Sequence, residues 1–295
     1  MDTILYVLFA LLGIYLLLEA SDLGLSMASS FLSRSREERE AALSLLAPCL
    51  DGNELWLVAA GLFAGFGFLT GNALLLGTGV IAMMAGIIRF FSVILKKTGA
   101  ASMLMKLSSL CSMAAVFLLG LAGWQAGGRE AELFSAGGIL SGFWFMSMSL
   151  QAGAAYGAVK VSNPLGEHFR ALSLLSAIGA VLFFPGVLFF MPSGALGSEL
   201  ALAFCAAGFI FYAGAFLFLR MRKNGIGWIL SWLALASAMF FYVTAFTGGK
   251  LPLEGVLTLT DERGVILGVA AMWSLVSLLY RMARKPVTYE WKDHI

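Results

Sequence analysis

The sequence predicts an all-α polytopic membrane protein with about nine transmembrane helices, and three observations carry that prediction. The 295-residue chain is 60% hydrophobic and only 12% charged, whereas soluble domains carry about 25% charged residues; its mean hydropathy is +0.90. Apolar stretches of about 20 residues recur along its length, each able to cross roughly 30 Å of hydrocarbon as a helix. Lysine and arginine cluster in every second connection, as an alternating path across a bilayer requires.

The spans, numbered one to nine, read as 3–32, 43–69, 73–95, 107–125, 134–159, 171–191, 199–220, 226–247 and 264–283. Span one opens with Asp2 rather than a basic stretch and is too long for a cleavable signal, so it stays in the membrane. The charged run Arg34–Glu40 separates it from span two. Lys96–Lys97 ends span three, and Lys106 precedes span four. Span five ends at Lys160, and span six follows Arg170 and is expected to break at Pro185–Gly186. Spans seven and eight flank Arg220–Lys223. Span nine follows "GGKLPLEGVLTLTDERG", the longest outer connection, which is too short to fold alone. Short connections keep polar backbone out of lipid. The chain therefore reads as one integral membrane domain, 1–295. Residues 1–125 hold spans one to four, 134–247 hold spans five to eight, and 264–283 form the ninth. Two four-helix bundles and one peripheral helix are expected.

Fifteen of the 19 basic residues fall on one side, from Arg34 through Lys97, Lys160 and Lys223 to Lys292. Three (Arg129, Lys250, Arg263) fall on the other, and Arg89 lies inside span three. The basic side is cytoplasmic by the positive-inside rule, which puts the N-terminus outside and the C-terminus inside.

Other chemistry is excluded by composition. A net charge of +2 gives no footing for nucleic acid. Cys49, Cys111 and Cys205 are odd in number and sit in apolar segments, which fits neither a disulfide framework nor a metal site. His168, in an inner loop, and His294 are the only histidines. No span offers the histidine that a membrane b-type haem takes as axial ligand, and Met146 and Met148 read as packing. Gly153, Ala154 and Ala155 suit close helix contact, with Gln151 and Tyr156 able to hydrogen-bond across it. Glu167 and Glu199 fall at helix ends, and the remaining polar residues of the spans read as bland.

The informative residues are the charges inside spans one to three. At 1.5 Å per residue, Asp22 lies roughly 15 Å and Glu19 roughly 20 Å from the inner end of span one. In span two, Asp51 lies roughly 12 Å and Glu54 roughly 17 Å from the inner end; Arg89 lies roughly 9 Å short of the inner end of span three. Each acid pair is three residues apart and shares a helix face. Ionisable groups in hydrocarbon cost at least ~2.5 kcal/mol each. Four carboxylates facing one guanidinium cannot all be ionised there, which leaves protons to exchange. The cluster fits a proton relay or a cation site; a structural ion pair, such as Arg89 with Asp51, is the plainer reading.

"LLLEASDLGLSMASSFL" followed by "LLAPCLDGNELWLVAAGLFAGF" resembles subunit II of cytochrome bd-type quinol oxidases. Glu19 and Asp22, with Gly24, match the acids of that family's D-G-F-D-x-G stretch. Ala47, Pro48, Asp51, Gly52, Asn53, Glu54, Trp56 and Leu57 match its A-P-x-W-D-G-N-E/Q-x-W-L motif. Arg89 corresponds to an arginine in its third helix, and "SMSLQAGAAYGAVK" is similar to its fifth. Glu19 stands where aspartate is usual, Cys49–Leu50 where His–Trp is common, and Ile94 near a position often acidic. The resemblance implies a partner, subunit I, carrying two b-type haems and one d-type haem, with quinol as substrate and oxygen as acceptor. It implies a bacterial cytoplasmic membrane location, contact with lipid and quinone, and room for a small single-helix accessory subunit. This chain would ligate no haem. Asp51, Glu54, Glu19 and Asp22 would form a proton path, Arg89 would hold the local field, and Asn53 and Trp56 would position the acids or face the partner's haem. The alternative is a stand-alone proton- or cation-coupled transporter using the same acids.

Overall fold

The computed structural model describes residues 22–46, 73–126, 134–161, 164–191, 199–246 and 283. Every element described is a helix: α1 (22–32), α2 (Arg36–Leu46), α3 (Ala73–Ile94), α4 (Ala100–Ala126), α5 (Ala136–Lys160), α6 (Leu165–Phe190), α7 (Glu199–Arg220) and α8 (Asn224–Phe246). Five of them, α3, α4, α6, α7 and α8, are long and apolar enough to cross a membrane. Most of spans one, two and nine lies outside the described residues.

α5 explains why a long helix can fall short of that apolar standard and still sit at the centre of the fold. It packs against α4, α6 and α8, so most of its surface meets protein rather than lipid. Ser141, Ser147, Ser149 and Gln151 are buried along it. Helix packing in membranes depends on close approach, which small residues permit. A Cβ on Gly24 of α1 would strike the Ser149 carbonyl, and one on Gly153 of α5 would strike the backbone at Gly24 and Leu25. Each glycine thus makes room for the other helix. Three turns back along the same face of α5, a Cβ on Gly120 of α4 would lie 2.6 Å from the Gly142 Cα, and Ser141 donates to the Gly120 carbonyl at 2.9 Å. The small residues expected to pack, Gly153, Ala154 and Ala155, are all at such contacts or fully buried. Gln151 joins α6 through its backbone, whose carbonyl accepts from the Ser173 hydroxyl at 3.0 Å. Tyr156 packs its ring 5.2 Å from that of Trp228.

Three expectations need correction. The expected connection 33–42 is largely helical, because Ser35 and Glu38 form a capping box. Ser35 Oγ accepts from Glu38 N at 3.1 Å, while Glu38 Oε2 accepts from Ser35 N at 3.1 Å and Arg34 N at 2.8 Å. That reciprocal pair satisfies donors at the helix start. Leu43, taken as the first residue of span two, therefore lies inside α2, whose Leu43, Leu45 and Leu46 are buried. α6 runs through Pro185 without ending there, since a proline removes one backbone bond and neighbouring helices in a membrane re-satisfy what it frees. Gly186 beside it packs close to Leu140. Finally, α4 and α6 start at Ala100 and Leu165, earlier than expected. His168 is accordingly an exposed residue in the first turn of α6 rather than a loop residue. Charged residues in these added turns can reach water along their own stems.

Candidate functional site

Of the seven residues singled out in the sequence, Asp22 and Arg89 lie within the described residues; Glu19, Asp51, Asn53, Glu54 and Trp56 lie outside them. Asp22 and Arg89 are each 5% exposed, an unusual burial for charged side chains and a costly one in a membrane.

What links their two helices is a set of serine hydroxyls. Ser26 Oγ on α1 and Ser108 Oγ on α4 are 3.1 Å apart, and Ser108 donates to the Ala85 carbonyl of α3 at 3.2 Å. With that proton committed, Ser26 is the donor within the serine pair. Asp22 stands one turn before Ser26 on α1, and Arg89 one turn after Ala85 on α3, so each charge lies one turn along its own helix from a residue of this serine–carbonyl link. A second pair lies beside the first: Ser30 donates to Ser109 at 2.7 Å, and Ser109 lies 3.4 Å from the Met27 carbonyl. Ser112 and Ser92 are also buried, but each donates to a carbonyl on its own helix.

α1 places its polar residues by helical spacing. Asp22, Ser26, Ser29, Ser30 and Ser33 recur at intervals of three and four and so share one face. The opposite side of the helix carries Gly24 against α5. The serines were read as bland in the sequence, yet the signal was available: hydroxyls at 26, 29, 30 and 33 extend the face that Asp22 starts, and "SSLCS" at 108–112 offers the complementary set. The buried carboxylate of Glu38 was also missed; Ser-x-x-Glu before an apolar run is the pattern that marks it.

At the basic ends of α6 and α7, Arg170 Nε donates to Glu167 at 2.9 Å and Nη1 reaches the Leu219 carbonyl at 3.4 Å. Arg222 lies 3.9 Å from the same carboxylate. Glu167 and Glu199 do sit in first turns, of α6 and α7. This partly exposed ion pair fastens two helix ends. Among the described residues no group of three or more His, Cys, Asp or Glu is placed to hold a metal ion, and Cys111 and Cys205 are free.

The fold and this site define an all-α integral membrane protein with a buried acid and a buried arginine on two helices that serine hydroxyls link through α4. The model of the family described as cytochrome bd terminal oxidase subunit II matches residues 1–283, and the chain belongs to that family. Its structure is similar to that of the bd oxidase from Geobacillus thermodenitrificans, with a TM-score of 0.60 and 16% identity, covering 94% of each chain. At that identity the likeness is one of fold. No curated protein matches the chain.

Proposed function

We propose that this chain is the haem-free subunit of a quinol:oxygen oxidoreductase and conducts protons from the cytoplasm toward the oxygen-reducing haem of a partner subunit I. The observation that carries the reading is the burial of Asp22 and Arg89, each one turn along its helix from the Ser26–Ser108–Ala85 link, in a chain that the subunit II model covers over 1–283. The donor set argues for placing the haems in the partner: the two histidines are His168, exposed at the start of α6, and His294. The partner's haems, when bound, supply the reduction of oxygen to water, which consumes protons. The work of this chain is to deliver those protons. Asp51 and Glu54 take them from the cytoplasmic side, Glu19 and Asp22 extend the relay, Arg89 fixes the local field, and Asn53 and Trp56 position the acids.

The protein would lie in a bacterial cytoplasmic membrane with its N-terminus outside, as the lysine and arginine bias favours, with lipid and quinone at its surface and a small single-helix accessory subunit as a further partner. A stand-alone transporter is the weaker reading. It would use the same acids, but transporters often carry broken helices in matching halves, and α6 continues through Pro185.

Asp51→Asn in the two-subunit complex tests the proposal. Turnover is expected to fall at least about tenfold, at the low end of what a positioned acid–base group contributes, with the haem absorption spectrum intact. Wild-type oxygen consumption by an Asp51→Asn complex would remove Asp51 from the path.

A further inference from the structure

We propose that the α1 face bearing Asp22, Ser26, Ser29, Ser30 and Ser33 holds a file of water that joins Asp22 to the basic end of the bundle and serves as a proton path. This rests on the proton-conducting reading above and names the route.

Ser29 is the observation that goes beyond a row of small residues. It is 0% exposed, and its hydroxyl meets no hydrogen-bond partner among the described residues. Most membrane serines satisfy themselves by donating to the carbonyl one turn back, as Ser92, Ser112, Ser176, Ser231 and Ser237 do here. A buried hydroxyl left unmade costs about 1–3 kcal/mol, and in folded proteins such groups are ordinarily satisfied by internal water. Ser29 lies three residues from Ser26 and seven from Asp22, so its hydroxyl opens on the face that carries the acid. Ser33, one turn further on and half-buried, has an uncommitted hydroxyl as well.

The neighbouring serines are set to receive water. Ser26 is paired with an α4 hydroxyl, and Ser30 has both the Ser109 hydroxyl at 2.7 Å and the Met27 carbonyl at 3.2 Å to donate to, which leaves their oxygen lone pairs to accept. The face thus offers two acceptors, Ser26 and Ser30, and two hydroxyls free to donate or accept, Ser29 and Ser33. Ser33 lies eleven residues from Asp22, roughly 16 Å along the helix, at the charged turn that leads into α2. Protons would move by hops between waters, each hop breaking one O–H bond and forming another. Asp22 takes the proton at the far end, no electron moves and no co-reactant is consumed. The serines position the water and are not themselves ionised.

Hydroxyl-radical labelling of the intact two-subunit complex by X-ray radiolysis reads internal water directly, because radicals made from a buried water oxidise the methionine beside it. Met105 shares the α4 face of Ser108 and Ser109 and is 2% exposed; Met148, 5% exposed, lies in the aromatic cluster and serves as the dry control. Met105 is expected to oxidise severalfold faster than Met148. Ser29→Val should abolish that difference and slow proton uptake in proteoliposomes while the haem spectrum stays intact, and Ser29→Thr, which restores the hydroxyl, should recover most of the uptake. Met105 oxidising no faster than Met148 in the wild type, or Ser29→Val taking up protons at the wild-type rate, overturns the route. The broader reading fails separately: an active Asp51→Asn complex removes the acid relay, whereas a dry Met105 with an inactive Asp51→Asn removes this route alone.

Discussion

The helices around Asp22 and Arg89 and those around α7 bury hydroxyls for opposite ends. Where α1, α3 and α4 meet, serines bond across helices: Ser26 with Ser108, Ser30 with Ser109, and Ser108 with the Ala85 carbonyl. In α6 and α8, Ser176, Ser231, Ser237 and Thr244 bond to carbonyls of their own helix. A self-bonded hydroxyl presents little more than a small apolar surface to its neighbours. The second region is held instead by rings: Phe184 lies 5.0 Å from both Trp144 and Phe209, and 6.1 Å from Phe241. These rings border a cavity of about 40 Å³, shared with Met148, Phe204 and Tyr212. The Tyr212 hydroxyl there is satisfied by the Ala177 carbonyl at 2.8 Å, and apolar cavities of this kind stay dry. One chain thus keeps a polar seam, where hydroxyls pair with hydroxyls across helices beside the self-bonded Ser92 and Ser112, and an apolar cluster filled by rings.

The largest effect that would break this comparison is expected at Arg89. Replacing it by methionine keeps the volume and removes the charge, leaving buried carboxylate in low dielectric. Removing one member of a buried charged set costs about 3–5 kcal/mol, so Arg89→Met should lower the thermal midpoint of the solubilised complex, or its yield, more than any single hydroxyl deletion. A midpoint equal to wild type would mean that Arg89 reaches water and that the seam is no buried polar region.

Tyr212→Phe, in the aromatic region, should come next. It strips one cross-helix bond from an otherwise apolar cluster and leaves the Ala177 carbonyl buried, at a cost of about 1–3 kcal/mol. The same thermal melt checks it. A larger loss than that of Arg89→Met would reverse the assignment of which region depends on polar contacts.

Much of the architecture was legible in the sequence because membrane physics writes it in composition. Apolar length and basic connections located α3, α5, α7 and α8 to within a few residues of their observed ends. What was not legible depended on which surface each helix buries. The Ser35–Glu38 capping box was hidden inside a charged run read as a connection, and it moved the start of the following helix. Pro185 was read as a break although neighbouring helices sustain α6 through it. Asp22 and Arg89 were legible as costly charges, and both are buried. The serines were not, since a serine on a membrane helix looks the same in sequence whether it donates to its own carbonyl or to another helix. Only the partner atom separates Ser26 from Ser231.

That ambiguity sets the smallest and most discriminating test. Ser231→Ala should change stability by less than about 0.5 kcal/mol, because the hydroxyl it removes bonds only to the Gly227 carbonyl of its own helix. Ser108→Ala should cost about 1 kcal/mol, because it removes the acceptor of Ser26 and the donor to Ala85 together. The two substitutions delete the same atom from equally buried sites, 2% and 1% exposed. Burial alone therefore predicts equal shifts in thermal midpoint, and bonding direction predicts unequal ones. Equal shifts would show that cross-helix hydroxyls add nothing to helix association here, and the seam would then owe its order to Asp22 and Arg89 alone. Unequal shifts would make Ser108 a tie between α1 and α3 whose loss loosens the helices carrying both charges.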